Sequence, residues 1–146
     1  MRKLTKITTI LIALFGFQFV SAQERNITFE QLPAQAQTFV KKHFAAQRVV
    51  TVVEDAKPYS KEYDVYFENG TKIEFYANGD WEEVKSRAAE VPAGIVPAAI
   101  SQYVKAQYPN AFVQEIKKKH YGYEIEISNG LDLEFDKTGK FLRIDN

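Results

Sequence analysis

Residues 123–135 of the chain read YEIEISNGLDLEF, and the rest of the sequence is best interpreted outward from this segment. Two short runs alternate apolar and charged residues on either side of Asn129-Gly130. A period of two is typical of a half-buried antiparallel hairpin with one apolar face and one polar face. The segment therefore predicts a hairpin that needs an apolar cover on one side and carries acidic groups on the other.

The same pattern occurs earlier in the chain, where residues 63–75 read YDVYFENGTKIEF. Upstream of both segments, residues 27–34 match residues 91–98 in the placing of apolar residues and proline. Internal similarity of this kind is the mark of a duplicated structural unit. We therefore predict two tandem repeats, residues 27–84 and 91–146, joined by a short linker.

Each repeat is predicted to begin with a helix. Thr28 and Gln31 have the spacing of a capping box, and Pro33 suits a first helical turn. Apolar residues at helical spacing form one stripe in each repeat: Leu32, Ala36, Phe39, Val40 and Phe44, then Val96, Ile100, Tyr103, Val104 and Tyr108. These stripes predict helices that cover a sheet.

Four strands are predicted after each helix, at 48–54, 62–67, 71–76 and 80–84, then at 112–118, 121–127, 131–135 and 140–144. A three-residue loop ending at Gly70 or Gly130 keeps apolar residues on one face, whereas a two-residue loop would mix the faces. The predicted fold is α+β. In each repeat a helical segment packs on one face of a four-stranded antiparallel meander, and the opposite face is open. The sequence leaves open whether the two sheets join.

The N-terminus predicts export. A basic start and an apolar run are followed by Val20-Ser21-Ala22, which suits cleavage of residues 1–22 as a signal peptide; the alternative is a membrane anchor, for which the run is short. The chain of 146 residues contains no cysteine, so disulfides and thiolate metal sites are excluded. We expect a periplasmic or secreted protein that has no membrane association after cleavage. Its charge balance does not favour nucleic acid as a partner.

No catalytic or phosphate-binding motif appears in the sequence, and His43 and His120 stand without a ligand set. We therefore predict a non-enzymatic protein with neither cofactor nor metal. Its oligomeric state and the identity of its partner are not indicated.

The polar side of the predicted hairpins holds the candidate binding residues. The derived register sets Glu126 opposite Asp132 and Glu124 opposite Glu134, and directly opposed like charges destabilise a sheet. One interpretation is a solvated face balanced by Lys117 and Lys119. The other is a surface that binds a protein or peptide, with these candidate contacts: Tyr66, Tyr76, Glu74, Glu124, Glu126, Asp132 and Glu134. An alternative function is a sensor of a small molecule or cation, using the carboxylate quartet of the second hairpin: Glu124, Glu126, Asp132 and Glu134.

The run NGLDLEFDKTGKF at residues 129–141, following a helix that starts near Val96-Pro97 and doubled within a small exported chain, resembles the PepSY-like family of β-lactamase-inhibitor-protein-like periplasmic proteins. The resemblance covers essentially all of the chain after residue 22. It implies a tandem repeat with an open sheet face that can grip an enzyme, and it implies no catalytic residue. The disulfides of the inhibitor that gives the family its description have no counterpart here.

Overall fold

The computed structural model describes residues 23–145, in which nine antiparallel strands form one continuous sheet in chain order. The elements are β1 (Gln23–Ile27), a 3₁₀ turn (Phe29–Gln31), α1 (Ala34–His43), β2 (Val49–Ala56), β3 (Lys61–Phe67), β4 (Lys72–Tyr76), β5 (Trp81–Lys85), α2 (Ala98–Gln107), β6 (Val113–Lys119), β7 (Gly122–Ile127), β8 (Asp132–Asp136) and β9 (Phe141–Asp145). The predicted signal peptide, residues 1–22, lies outside the described residues.

One row of apolar side chains crosses all nine strands on a single face. We call this set the core row: Ile27, Val52, Val65, Ile73, Val84, Ile116, Ile125, Leu133 and Ile144. Seven strands away from the edges contribute side chains that are almost wholly buried, because both helices pack on this face. The predicted α+β class is confirmed.

The predicted helical stripes form the cover of the sheet. Phe39 of α1 makes an edge contact with Phe75 at 5.7 Å between ring centroids, and Tyr103 of α2 stacks on Phe141 at 4.7 Å. The Thr28 amide donates to Gln31 Oε1 at 2.8 Å, as the capping box requires, but this box starts the 3₁₀ turn. The helix itself begins at Ala34, because Pro33 takes an extended conformation before it.

The hairpin register is confirmed in both halves of the chain. Val65 lies opposite Ile73, Ile125 lies opposite Leu133, and both three-residue loops end in a glycine with positive φ. The apolar residues thus stay on the helix side in each hairpin, as a three-residue loop requires.

Two features were not predicted. β1 adds a strand to the N-terminal side of the sheet, so the four-stranded count is wrong there. In addition, β5 pairs with β6 through three residue pairs, which joins the two meanders into one sheet and answers the question that the sequence left open. The chain therefore presents one uninterrupted surface, while the division into repeats 27–84 and 91–146 stays a prediction.

Replacing Gly130 by valine should cost about 2–3 kcal/mol of unfolding free energy, since a β-branched residue is strained at its φ of 85°. An added Cβ meets nothing within 4 Å, so the cost is conformational rather than steric. Chemical denaturation measures it, with Gly130→Asn as the control because asparagine tolerates positive φ. Equal stability of the valine variant and the parent would contradict the loop geometry.

Candidate functional site

The face opposite the helices carries two rows of polar side chains that run across the sheet. The first charged row is Asn26, Val53, Asp64, Glu74, Glu83, Lys117, Glu124, Glu134 and Arg143. The second charged row is Thr51, Tyr66, Lys72, Lys85, Glu115, Glu126, Asp132 and Asp145. Carboxylates outnumber cations in both rows, and we call this surface the open face.

All of the predicted contact residues lie on the open face. Glu126 is paired with Asp132 and Glu124 with Glu134, as the derived register required. Tyr66 and Tyr76 stand on strands β3 and β4, and each is 38% exposed. The structure thus places these residues on one side of one sheet, in two groups, one on β3 and β4 and the other on β7 and β8.

The N-terminal part of the open face is partly neutralised, because one lysine pairs with two carboxylates. Lys72 Nζ lies 3.1 Å from Asp64 Oδ2 and 2.5 Å from Glu74 Oε1. Burial raises the pKa of Asp64, and the bond to Lys72 opposes that rise. Tyr66 donates to the same Asp64 carboxylate at 3.2 Å, and Lys72 Nζ lies 5.5 Å from the centre of the Tyr66 ring. The tyrosine is therefore held in place by groups that partly balance each other's charge.

The C-terminal part of the open face is different, because its carboxylates are crowded. We call this set the acidic cluster: Glu124, Glu126, Asp132, Glu134 and Asp145. Three members have cationic neighbours, which are Lys119 for Glu124 at 3.1 Å, Lys85 for Glu126 at 3.3 Å and Arg143 for Glu134 at 2.8 Å.

Asp132 has no ion-pair partner among residues 23–145. Burial raises its pKa, the carboxylates of Glu126, Glu124 and Asp145 raise it further, and the charge of Lys85 only partly opposes that rise. A carboxyl group whose pKa rises beside like charges gains from the approach of a cation. The acidic cluster thus keeps an excess of negative charge over its cationic neighbours.

Glu134, a predicted partner contact, lies on the open face but is only 5% exposed. Arg143 donates to both of its carboxylate oxygens, at 2.8 and 3.0 Å. A register irregularity between Glu134 and Phe135 brings Arg143 of β9 opposite Glu134. A partner would meet the guanidinium of Arg143 before it met this carboxylate.

Carboxylate oxygens of Glu124, Glu134 and Asp145 lie within 4.8 Å of one another. Oxygen donors of this type suit a hard cation such as Ca²⁺, although the set overlaps only in part with the predicted quartet. Asp145 was missed because the offset in β9 decides which of its residues reaches the open face. Glu126 and Asp132 of the predicted quartet are not in this group.

Lys85 and Glu115 form the centre of the open face and were not predicted, because they belong to strands joined only by the β5–β6 pairing. Lys85 Nζ binds the Glu115 carboxylate and also reaches Glu126 Oε2 at 3.3 Å. Burial raises the pKa of Glu115 to about 6, and the Lys85 bond opposes the rise without cancelling it.

A carboxyl group with a raised folded-state pKa stabilises the fold when protonated and loses that contribution as pH rises. Relative to Glu115→Gln, the parent should therefore lose up to about 2 kcal/mol of unfolding free energy between pH 4.5 and pH 7. Urea denaturation of both proteins at the two pH values measures the difference, with the exposed Glu90→Gln as a control. A difference that does not change with pH would contradict the assignment.

A family model described as "Putative beta-lactamase-inhibitor-like, PepSY-like" matches residues 17–60 and 61–143. The chain belongs to this family. The resemblance inferred from residues 129–141 is thereby confirmed, and no curated protein matches the chain.

Three solved structures are similar to this chain over nearly their own whole length. A protein of Bacteroides thetaiotaomicron, described as a "putative calcium-regulated periplasmic protein", is 39% identical with a TM-score of 0.81, over 84% of this chain and 97% of that one. A periplasmic protein of Bacteroides vulgatus is also 39% identical, with a TM-score of 0.79 over 84% of this chain and 97% of its own. A second protein of that species, of unknown function, is 30% identical with a TM-score of 0.80, over 85% of this chain and 100% of its own.

All three similar structures are described as periplasmic. The predicted location of this PepSY-like chain, periplasmic or secreted, is confirmed. Within residues 23–145, neither helix is long and apolar enough to cross a bilayer.

Proposed function

We propose that this PepSY-like chain is an exported, non-enzymatic module that binds a protein or peptide through its open face, with inhibition of a periplasmic or secreted enzyme as one outcome of that binding. The supporting observation is that both helices lie on one side of a continuous nine-stranded sheet. No described element between residues 23 and 145 covers the other side, which carries both charged rows.

The acidic cluster suits a basic partner. Asp132 has no ion-pair partner among residues 23–145, and Lys85, Lys119 and Arg143 only partly balance the charge of the cluster. Lysine or arginine groups of a partner would relieve the like-charge repulsion. The negative field of the cluster would also speed the diffusional encounter with a basic partner. Binding should therefore weaken as ionic strength rises.

Tyr66 and Tyr76 supply the contact area that a charged surface lacks. Tyrosine is enriched at interfaces because it buries a large ring and keeps a hydroxyl for hydrogen bonding. Tyr66 is already positioned by Asp64 and Lys72, so less conformational freedom is lost when it is covered.

A recovery experiment from periplasmic extract tests this assignment. The parent should retain a protein that the double variant Tyr66→Ala with Tyr76→Ala releases, at equal melting temperature. Tyr59→Ala is the matched control, because Tyr59 is fully exposed but lies in the loop between β2 and β3. Equal recovery by the parent and the double variant would count against the open face.

Calcium binding is a second candidate function, for which the supporting observation is the group of Glu124, Glu134 and Asp145. Their carboxylates fit the hard-oxygen preference of Ca²⁺, although Arg143 and Lys119 would have to give up bonds to two of them. The similar B. thetaiotaomicron protein is described as calcium-regulated, which points to the same ion.

Calorimetric titration with CaCl₂ distinguishes this candidate. The parent should bind Ca²⁺ and melt at a higher temperature in its presence, and Asp145→Asn should lose both effects. Asp64→Asn is the matched control, because it removes a carboxylate from the other end of the open face. Absence of heat and of a melting shift in the parent would end this candidate.

A further inference from the structure

Strand β9 forms one edge of the sheet, and within residues 23–145 it pairs only with β8. It also carries two exposed apolar side chains, Leu142 at 47% and Ile144 at 40%. Exposed apolar edge strands are templates for pairing with another strand. The opposite edge, β1, offers mainly polar residues, since its sequence is QERNI.

The interior strand β5 is the counterpart of β9 in the first half of the chain. Val84 of β5 lies opposite Ile73 of the preceding strand, as Ile144 of β9 lies opposite Leu133, and both pairings have a register irregularity beside an aromatic pair. The outer side of β5 takes β6 in antiparallel pairing. There Glu83 meets Lys117, Val84 meets Ile116 and Lys85 meets Glu115.

The three corresponding residues of β9 are Arg143, Ile144 and Asp145, and they are complementary to themselves when read in the opposite direction. An antiparallel pair of two β9 strands centred on Ile144 sets each Arg143 against the other copy's Asp145. The two Ile144 side chains then meet on the helix side. This is the charge–apolar–charge pattern of the β5–β6 pairing, with the signs of the charges reversed.

We propose that β9 is a homodimer interface at which a second copy of this chain adds its own β9 in antiparallel register about Ile144. The two sheets become one, and the open faces of both copies lie on the same side. Two short strands bury less surface than a standard interface, so we expect a dissociation constant in roughly the micromolar range. The contact runs along the β9 edge rather than across the open face, although the Arg143 and Asp145 side chains belong to the charged rows of that face. It does not depend on the binding of a protein or peptide proposed above.

Cysteine crosslinking tests the register, because the chain contains no cysteine of its own. Cα atoms of a directly opposed antiparallel pair lie about 4.5–5.5 Å apart, within reach of a disulfide. Mild oxidation of purified Ile144→Cys should therefore yield a covalent dimer. Leu142→Cys is the matched control, since its two copies would lie more than about 10 Å apart.

Sedimentation equilibrium completes the test. The parent should associate to twice its monomer mass. Ile144→Lys should raise the dimer dissociation constant at least about tenfold at an unchanged melting temperature. If the lysine variant unfolds, the cysteine result alone decides. A parent that stays monomeric, a failure of Ile144→Cys to crosslink, or efficient crosslinking of Asn26→Cys on β1 instead would overturn the proposal.

Discussion

Gly122→Ala should lose about 3–5 kcal/mol of unfolding free energy, because the backbone of β8 leaves no room for a side chain at this position. A Cβ on Gly122 would lie 2.2 Å from the carbonyl oxygen of Phe135 and 2.3 Å from the carbonyl carbon of Asp136. Both contacts are with backbone, so relief requires β7 and β8 to move apart. The measurement is urea denaturation monitored by circular dichroism.

Gly130→Ala is the matched control for that variant. Gly130 also has positive φ, but an added Cβ there meets nothing within 4 Å, so only about 1 kcal/mol should be lost. The difference between the two variants isolates the steric contribution. Similar losses in both would mean that β7 and β8 do not approach as closely as described.

Phe135→Ala should lose about 3–5 kcal/mol, as expected for truncation of a wholly buried aromatic residue. Phe135 makes edge contacts with Tyr103 at 5.4 Å and with Phe141 at 5.8 Å, so the cavity would open between α2 and the sheet. The melting temperature should fall by roughly 10–20 °C. Leu142→Ala, an exposed residue of β9, is the control and should change little.

The same variant tests whether the sheet is one cooperative unit. The chain has one tryptophan, Trp81, which lies in β5 on the other side of the β5–β6 junction from Phe135. Its ring contacts Lys118 Nζ of β6 at 4.2 Å, so it reports on that junction. Tryptophan fluorescence and circular dichroism should shift together in Phe135→Ala. A tryptophan transition that stays at the parent midpoint would show that the two halves unfold independently.

Local pattern was sufficient to predict the hairpins and their register. In the pair of Val65 with Ile73, alternation and loop length alone decide which residues face the helices, because a shift of one residue would expose the apolar set. The helix stripes were predictable for the same reason. Phe39 and Tyr103 follow a helical period that only a sheet-covering helix satisfies.

Features set by long-range pairing could not be predicted in this way. β1 has a single apolar residue, Ile27, and becomes a strand because the edge of β2 is available to it. The β5–β6 pairing that places Lys85 beside Glu115 joins segments separated by α2, and nothing local encodes it. Glu134 was placed on the correct face, but its burial depends on Arg143, which reaches it through the offset between β8 and β9.

We propose that a continuous sheet leaves a charged face available to a partner. The β5–β6 junction makes the face continuous, the acidic cluster gives it a negative charge, and Tyr66 and Tyr76 give it contact area. Burial of the helix side leaves the open face as the broad surface without a described cover between residues 23 and 145.

Site-specific photocrosslinking in living cells tests this claim most directly. A benzophenone amino acid in place of Tyr66 samples the open face, and the same group in place of Gln102, an exposed residue of α2, samples the helix side. We predict a protein adduct from position 66 that weakens when Asp132 is changed to asparagine, and no corresponding adduct from position 102. An adduct from position 102 alone, or none from position 66, would contradict the account.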